Sequence, residues 1–181
     1  MAIYYGDGGN SSSGRVVQVA YWNATGEDTG NETSWTNTGL CDLQFSNNVT
    51  SGNKVLLWLQ LGMGEQYDGA WAVHGVYTVN CDTQGILGNS TWGMTGGWVS
   101  GANGASASMQ YGFQRMRGTL LYTPNTTSPR YKIYRKRISY SFNMTTGSAY
   151  NSSSEYNSGS TQLIAMEITA WLIDLGKLKM L

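Results

Sequence analysis

The sequence predicts an all-β protein, in the form of a jelly-roll-like β-sandwich. Runs of β-branched and aromatic residues, each about as long as a strand, alternate with spacers rich in Gly, Ser, Asn and Thr. No stretch has a 3.6-residue apolar stripe enclosed by a cap and a C-terminal glycine, as a helix would. The 7 Trp, 12 Tyr and 3 Phe argue against a disordered chain, and 181 residues suffice for one domain with its own core.

Six runs have the composition of strands. The run KVLLWLQL is almost continuously apolar, which is typical of a strand covered on both faces. The run AWAVHGVYTV alternates, so that every second residue is expected on one face. In chain order the runs are 15–22, 54–61, 70–79, 109–122, 131–142 and 161–173, and we expect 54–61, 109–122, 131–142 and 161–170 to form the core.

Two long polar spacers, 80–107 and 143–160, contain isolated aromatic residues. Long ordered loops on a rigid sheet are common sites of recognition. Exposed aromatic rings suit glycan stacking and protein contact equally, so these rings are interpreted either as receptor contacts or as contacts with a neighbouring subunit. They are Trp92 and Trp98 in the first spacer and Tyr150 and Tyr156 in the second.

The chain divides into an N-terminal arm at 1–14, one β-sandwich domain at 15–170 and a C-terminal arm or docking segment at 171–181. The first residues have no basic region followed by an apolar stretch, so we expect no secretory signal peptide. No run of about 20 apolar residues is present, so no membrane insertion is expected. The candidates for docking onto a larger particle are Tyr4, Tyr5, Asp7, Trp171, Leu172 and Leu178.

The charges balance, with 11 Lys+Arg against 11 Asp+Glu, which argues against a nucleic-acid partner. One basic run stands out and is a candidate patch for an anionic glycan, lipopolysaccharide or an acidic partner surface. The alternatives are an edge strand protected by charge, or cations that face acids of a neighbouring subunit, since the first 68 residues are mostly acidic. The run contains Arg130, Lys132, Arg135, Lys136 and Arg137, with the first, second and fourth expected on one strand face.

Nothing in the sequence points to catalysis, a metal or a cofactor. The only histidine, His74, lies in an apolar strand pattern, and no G-x-S-x-G turn is present. The acids are scattered, and Glu167 is expected to face solvent or a subunit. Cys41 and Cys81 have no metal-ligand spacing and are interpreted as buried free thiols, with a single disulfide as the alternative.

Eight N-x-S/T sequons favour a second class of protein, a secreted and glycosylated surface filament subunit. The opposing interpretation is that the sequons merely reflect a chain rich in Asn, Ser and Thr. Their asparagines are Asn10, Asn23, Asn31, Asn48, Asn89, Asn125, Asn143 and Asn151.

Four segments, in this order along the chain, are similar to motifs of one family. They are MAIYYGDGGNSSSGRVVQV at 1–19, TGL at 38–40 with SGNKVL at 51–56, LYTPNTTS at 121–128 with YKI at 131–133, and STQLIAMEI at 160–168. In this combination the chain resembles small fibre-like virion structural proteins of tailed phages of marine cyanobacteria (cyanophages). It departs from them at Tyr122-Thr123, where the family has Asp-Ser before the proline.

This resemblance implies a non-enzymatic virion protein that forms homotrimers, assembled in the bacterial host cytoplasm. The expected role is that of a tail fibre, or of a connector between tail and fibre, with host-surface recognition. The expected partners are copies of itself, other virion proteins and a host cell-surface glycan or lipopolysaccharide. A capsid decoration protein, such as a knob or head fibre, is the alternative within the virion.

Overall fold

The computed structural model describes residues 15–24, 26–66, 72–73, 75–95, 99–100, 111–138, 144–147 and 161–169. Within these ranges every regular element is a β-strand and none is a helix, which confirms the all-β prediction. The strands are β1 (Val16–Asn23), β2 (Glu27–Gly30), β3 (Thr36–Asn37), β4 (Leu43–Gln44), β5 (Lys54–Gln66), β6 (Ala72–Val73), β7 (Gly75–Cys81), β8 (Gly85–Ile86), β9 (Val99–Ser100), β10 (Tyr111–Tyr122), β11 (Arg130–Arg137), β12 (Met144–Gly147) and β13 (Gln162–Ile168).

The larger sheet is built around β5, which has neighbours on both sides. β10 runs antiparallel along one side of it, from the Val55–Tyr122 pair to the Gln66–Tyr111 pair. On the other side β13 pairs with the first part of β5, and β12 pairs with the second part. β1 lies outside β13, and β2 lies outside β12. Because one edge of β5 has two successive neighbours, this sheet curls.

The second sheet has β11 in its interior, which corrects the prediction that the basic run is an edge strand. One side of β11 pairs with β7 along its length. The other side pairs with β4 at its start and with β3 near its end. β8 continues the sheet beyond β7, and β6 and β9 form a separate two-stranded pair.

The two main sheets enclose one hydrophobic core, to which both contribute alternate residues. Tyr131 of β11 is fully buried and meets Phe45 and Tyr122 edge to face, with ring centroids 6.2 and 6.4 Å away. The Tyr122 hydroxyl donates a hydrogen bond to the Tyr131 hydroxyl at 2.8 Å. Burial raises the pKa of both phenols well above their usual range. The fully buried apolar residues around them include Val55, Leu57, Leu59, Leu61, Val79, Cys81, Ile133, Leu163 and Ala165.

Over residues 54–61, the described part of the chain covers β5 on one face only, which corrects the expectation from its continuous apolar run. Its odd-numbered residues from 55 to 61 are completely buried. On the other face Trp58 is 39% exposed and Leu56 is only half-buried. The apolar run therefore predicts a second cover that the described part of this chain does not supply.

Both predicted long loops contain strands. The range 80–107 includes the end of β7 and all of β8 and β9, and the range 143–160 includes β12. β12 reads MTTG, and it is a strand because β5 and β2 pair with it on opposite sides. This pairing depends on distant partners, so local composition does not indicate it.

The two predicted arms, 1–14 and 171–181, lie outside the described residues. The same holds for their docking candidates Tyr4, Tyr5, Asp7, Trp171, Leu172 and Leu178.

Glu167 is completely buried, which corrects the expectation that it faces solvent or a subunit. Alternate residues of β13 face the core, and Glu167 follows Leu163 and Ala165 in this alternation, so its side chain also points into the core. Its carboxyl oxygens accept hydrogen bonds from Gln18 Nε2 at 2.6 Å, Asn53 Nδ2 at 2.6 Å and the Thr50 N–H at 2.8 Å. These donors satisfy the buried group.

Cys41 and Cys81 are both free and buried, as expected. The Cys41 thiol donates to the Tyr131 carbonyl at 3.8 Å, and burial raises the pKa of Cys41 to about 12. A thiol with this pKa is unreactive at neutral pH.

Candidate binding surface around the Trp92 turn

Trp92 lies in a tight turn that follows β8. The backbone N–H groups of Asn89 and Gly93 each donate to the other's carbonyl, at 3.2 and 2.8 Å. The Asn89 side-chain oxygen accepts the N–H groups of Thr91 at 2.8 Å and Trp92 at 2.9 Å. The turn is thus closed by its own backbone and side chain, while Trp92 remains 41% exposed.

The turn is attached to both sheets. The N–H groups of Met94 and Thr95 donate to the Tyr77 carbonyl on β7, at 3.1 and 3.3 Å. Gly93 has a φ of +63°, and a Cβ there would lie 2.4 Å from the same carbonyl oxygen. Gly118 on β10 makes a similar close approach, since a Cβ there would lie 2.7 Å from the Met94 carbonyl oxygen. The turn therefore has little freedom to shift relative to the core.

Trp35 and Lys136 support the turn from the side. The Trp35 indole N–H donates to the Ser90 carbonyl at 2.9 Å. The Lys136 ammonium lies 4.9 Å from the centroid of the Trp35 ring and donates to the same carbonyl at 3.4 Å. This is a cation–π contact next to an exposed tryptophan, on a turn fixed by hydrogen bonds.

The outer face of β11 is largely neutralised by acids of the same chain. Arg130 forms a two-pronged ion pair with Asp42, and this hydrogen bonding lowers the pKa of the Asp42 carboxyl. Lys132 pairs with Asp82 at 3.1 Å. With Lys136 engaged at Trp35, the outward cations of β11 all have partners within the described residues.

Arg135 is buried, and it does not form part of a surface patch. Its guanidinium donates twice to Glu32, at 3.0 and 3.2 Å, and also pairs with Asp28. Burial opposes its charge, but these partners raise the pKa of Arg135 overall, and its hydrogen bond lowers the pKa of Glu32. Gly30 leaves room for the guanidinium, because a Cβ there would lie 1.8 Å from Nη2.

These pairs account within one chain for cations that the sequence also allowed to face acids of a neighbouring subunit, and contact between subunits stays a prediction. Asp28, Glu32 and Asp42 meet β11 within one chain. The last basic residue, Arg137, is half-buried, and its backbone N–H donates to the Glu32 carbonyl at 2.7 Å. Charge on β11 therefore contributes to the fold more than to a contact surface.

Two of the predicted contact residues, Trp92 and Lys136, lie in one region of the structure. Trp98, Tyr150, Tyr156 and His74 lie outside the described residues. Sequence reasoning missed the three supporting residues Trp35, Asn89 and Ser90. The role of Asn89 was detectable in principle, since an asparagine side chain readily accepts hydrogen bonds from the N–H groups that follow it. The role of Trp35 was not, because Trp35 is 57 residues from Trp92 and no local pattern connects them.

The surface around Trp92 offers an aromatic plane, a nearby cation and exposed hydroxyl and carboxamide groups. Such a set suits a polar ligand with a flat apolar face, as sugars have. Among the described residues, no group of three or more His, Cys, Asp or Glu is placed to hold a metal ion. In that same part of the chain, no helix is long and apolar enough to cross a membrane.

No protein-family model matches this sequence, and no curated protein is significantly similar to it.

Proposed function

We propose that this chain is a non-enzymatic structural protein of a tailed-phage virion, either tail-fibre-like or a connector between tail and fibre. It uses the Trp92 turn to contact the host surface. In this proposal the domain is jelly-roll-like and homotrimeric, needs no cofactor, and assembles in the bacterial host cytoplasm. Its partners are copies of itself, other virion proteins and a host glycan or lipopolysaccharide.

The observation that carries this proposal is the exposure of Trp92 on a turn that the rest of the molecule holds in place. The Trp92 ring is 41% exposed, which costs solubility. The backbone of its turn packs closely against β7 at Gly93 and against β10 at Gly118. A rigid aromatic group loses little conformational entropy on binding, which favours it as a contact residue. The resemblance of the four sequence segments supplies the virion context.

The deciding experiment is antibody labelling of intact particles under the electron microscope. Label at the tail supports the attachment or connector role. Absence of the protein from purified particles overturns the virion proposal.

A capsid decoration protein is a second candidate, which the open face of the larger sheet favours. Decoration proteins must cover surface against neighbours, and an exposed apolar sheet face suits that task. Label spread over the capsid faces, together with loss of particle stability when the protein is absent, favours this candidate over the fibre.

A glycosylated filament subunit is the third candidate, and the positions of the sequons favour it. All five described sequon asparagines are exposed, although Asn125 already hydrogen-bonds to Thr83 through its Nδ2 at 3.0 Å. The five are Asn23, Asn31, Asn48, Asn89 and Asn125. Intact mass spectrometry tests this candidate, because sugar adds to the unmodified 19.7 kDa.

A further inference from the structure

The outer face of the larger sheet is apolar in its centre and polar at its rim. Two neighbouring rows of side chains cross four strands there, β1, β13, β5 and β10. The first row is Tyr21, Ile164, Trp58 and Thr119, and the second is Val19, Met166, Leu56 and Leu121. Three of the large apolar side chains among them are markedly exposed: Tyr21 by 46%, Trp58 by 39% and Leu121 by 51%.

We infer that this outer face is the surface through which copies of the chain associate. It goes beyond the proposed function, on which it rests only for the expectation that copies associate. A face that is complementary to itself pairs two copies about a two-fold axis, so this contact is additional to those of the proposed homotrimer. The apolar run of β5 has the composition of a strand covered on both faces, whereas the described chain covers one. A second copy supplies the missing layer.

The rim of the face favours a copy of the same chain as the occupant. The next row contains Asn23, Gln162 and Gln60, followed by Arg117 on β10. Amide side chains both donate and accept hydrogen bonds, so a row of amides is complementary to itself. The charged residues Arg117 and Lys54 are exposed at the margin, where water screens repulsion between copies.

The shape and charge of the molecule agree with self-association. Large and small side chains alternate along the first row, where Tyr21 and Trp58 flank Ile164 and Thr119 follows, and such alternation lets two faces interdigitate. The formal net charge is zero, so two copies do not repel each other as wholes.

The size of the face is sufficient for an interface of modest extent. Four strands about 4.8 Å apart and roughly five residues long span about 300 Å² in projection. The accessible area of each face exceeds its projected area, because side chains roughen the surface and the polar rim adds to it. Two copies therefore bury on the order of 1,000 Å² in total, which is the lower limit for specific association. We therefore expect a reversible oligomer whose population depends on concentration.

The first test is the oligomeric state of the full chain, measured by light scattering and native mass spectrometry. We expect wild type to associate at micromolar concentration, and the double variant Trp58→Lys/Leu121→Lys to lose about 100-fold in association constant, since each lysine must be desolvated in the interface. Gln44→Lys, at the exposed residue of β4 in the other sheet, is the control and is expected to associate like wild type. A monomeric wild type, or a double variant that still associates, overturns the inference.

A second test does not depend on the double variant folding. Cys41 and Cys81 are buried, so Leu121→Cys introduces one accessible thiol on the face, at the β10 end of the second row. We expect its labelling by a maleimide to slow as protein concentration rises. Protection that is independent of concentration indicates cover by another part of the same chain and overturns the inference, as does full reactivity at every concentration. Both tests use purified protein, so their failure is distinguishable from failure of the virion proposal, which particle labelling decides.

Discussion

Trp92 is exposed on a turn whose backbone is held by the residues on either side of it. Asn89 holds the N–H of Trp92 itself, and Gly93 brings the following backbone against β7 in a conformation that other residues rarely adopt. The backbone of Trp92 is therefore held by Asn89, three residues before it, and by Gly93, the next residue.

Replacing Trp92 tests whether this ring contacts the host surface. We expect Trp92→Ala to weaken adsorption of the purified protein to host cells by about 30-fold, equivalent to ~2 kcal/mol for a contact residue at the centre of a site. Trp92→Phe retains an aromatic face and is expected to keep most of the adsorption. Equal losses in the two variants contradict a stacking role, and unchanged adsorption in both contradicts any role.

Glu167 illustrates a polar residue whose importance is structural. Removing its carboxyl group takes the nearest acceptor from Gln18 Nε2 and Asn53 Nδ2, both on buried side chains, and the acceptor of the part-buried Thr50 N–H. We expect Glu167→Ala to lower the free energy of unfolding by about 3 kcal/mol, and the melting temperature by roughly 9 °C. Thermal unfolding followed by circular dichroism measures this change. Gln162→Ala, on the half-buried face of the same strand, is the control and should cost far less.

At the scale of elements, β11 connects the two halves of the sequence by charge. Its cations meet acids of the first half of the chain, Asp28 and Glu32 at Arg135 and Asp42 at Arg130. The pairs cross between β11 and the segments that contain β2 and β4. They therefore link segments about 100 residues apart, and they specify which strands lie together rather than creating a charged surface.

Acid should weaken these links. Hydrogen bonding from arginine lowers the pKa of Glu32 and Asp42 below their ordinary values of 4.5 and 3.8. A carboxyl group with a lowered pKa in the folded state contributes stability that is fully present above its unfolded pKa and is lost as pH falls through the folded value. We expect the free energy of unfolding to decrease as pH falls below about 4.5 through this contribution.

The variant Glu32→Gln checks the assignment. It should be less stable than wild type at neutral pH and should lose less stability on acidification, because one of the titrating groups is absent. Denaturant melts at a series of pH values measure both quantities. An acid dependence identical to that of wild type contradicts a role for Glu32.

For the molecule as a whole, the single core is the organising feature. Residues from both main sheets meet in one buried cluster, with Tyr131 of the second sheet in contact with Tyr122 of the first. Neither sheet has a separate core among the described residues. The two sheets should therefore lose their structure together.

This predicts one cooperative unfolding transition for the domain. Far-ultraviolet circular dichroism reports the strands. Tryptophan fluorescence reports side-chain packing at Trp22 and Trp58 of the larger sheet and at Trp35, next to β3 of the second sheet. We expect the two signals to give the same midpoint in a denaturant titration. Separate midpoints would mean that the sheets unfold independently, contrary to a shared core.

The sequence by itself determined the class of the fold and the approximate positions of β1, β5, β10, β11 and β13. Those strands are long and strongly patterned, so burial of alternate apolar residues specifies them locally. It also predicted the two free buried thiols and the alternation of cations along β11. It located Trp92 in a candidate recognition segment, since an aromatic residue among small polar residues is unusual wherever it occurs.

Only the tertiary structure decided which charges are available and which face is open. Arg135 and Glu167 read as surface residues in the sequence, but both are buried because their partners come from segments more than 100 residues away. The short strand β12 exists through its neighbours β2 and β5, and the support of the Trp92 turn by Trp35 is equally distant. Such relations arise from long-range pairing, which local pattern does not encode. For the same reason the open apolar face became apparent only when four separate strands were placed side by side.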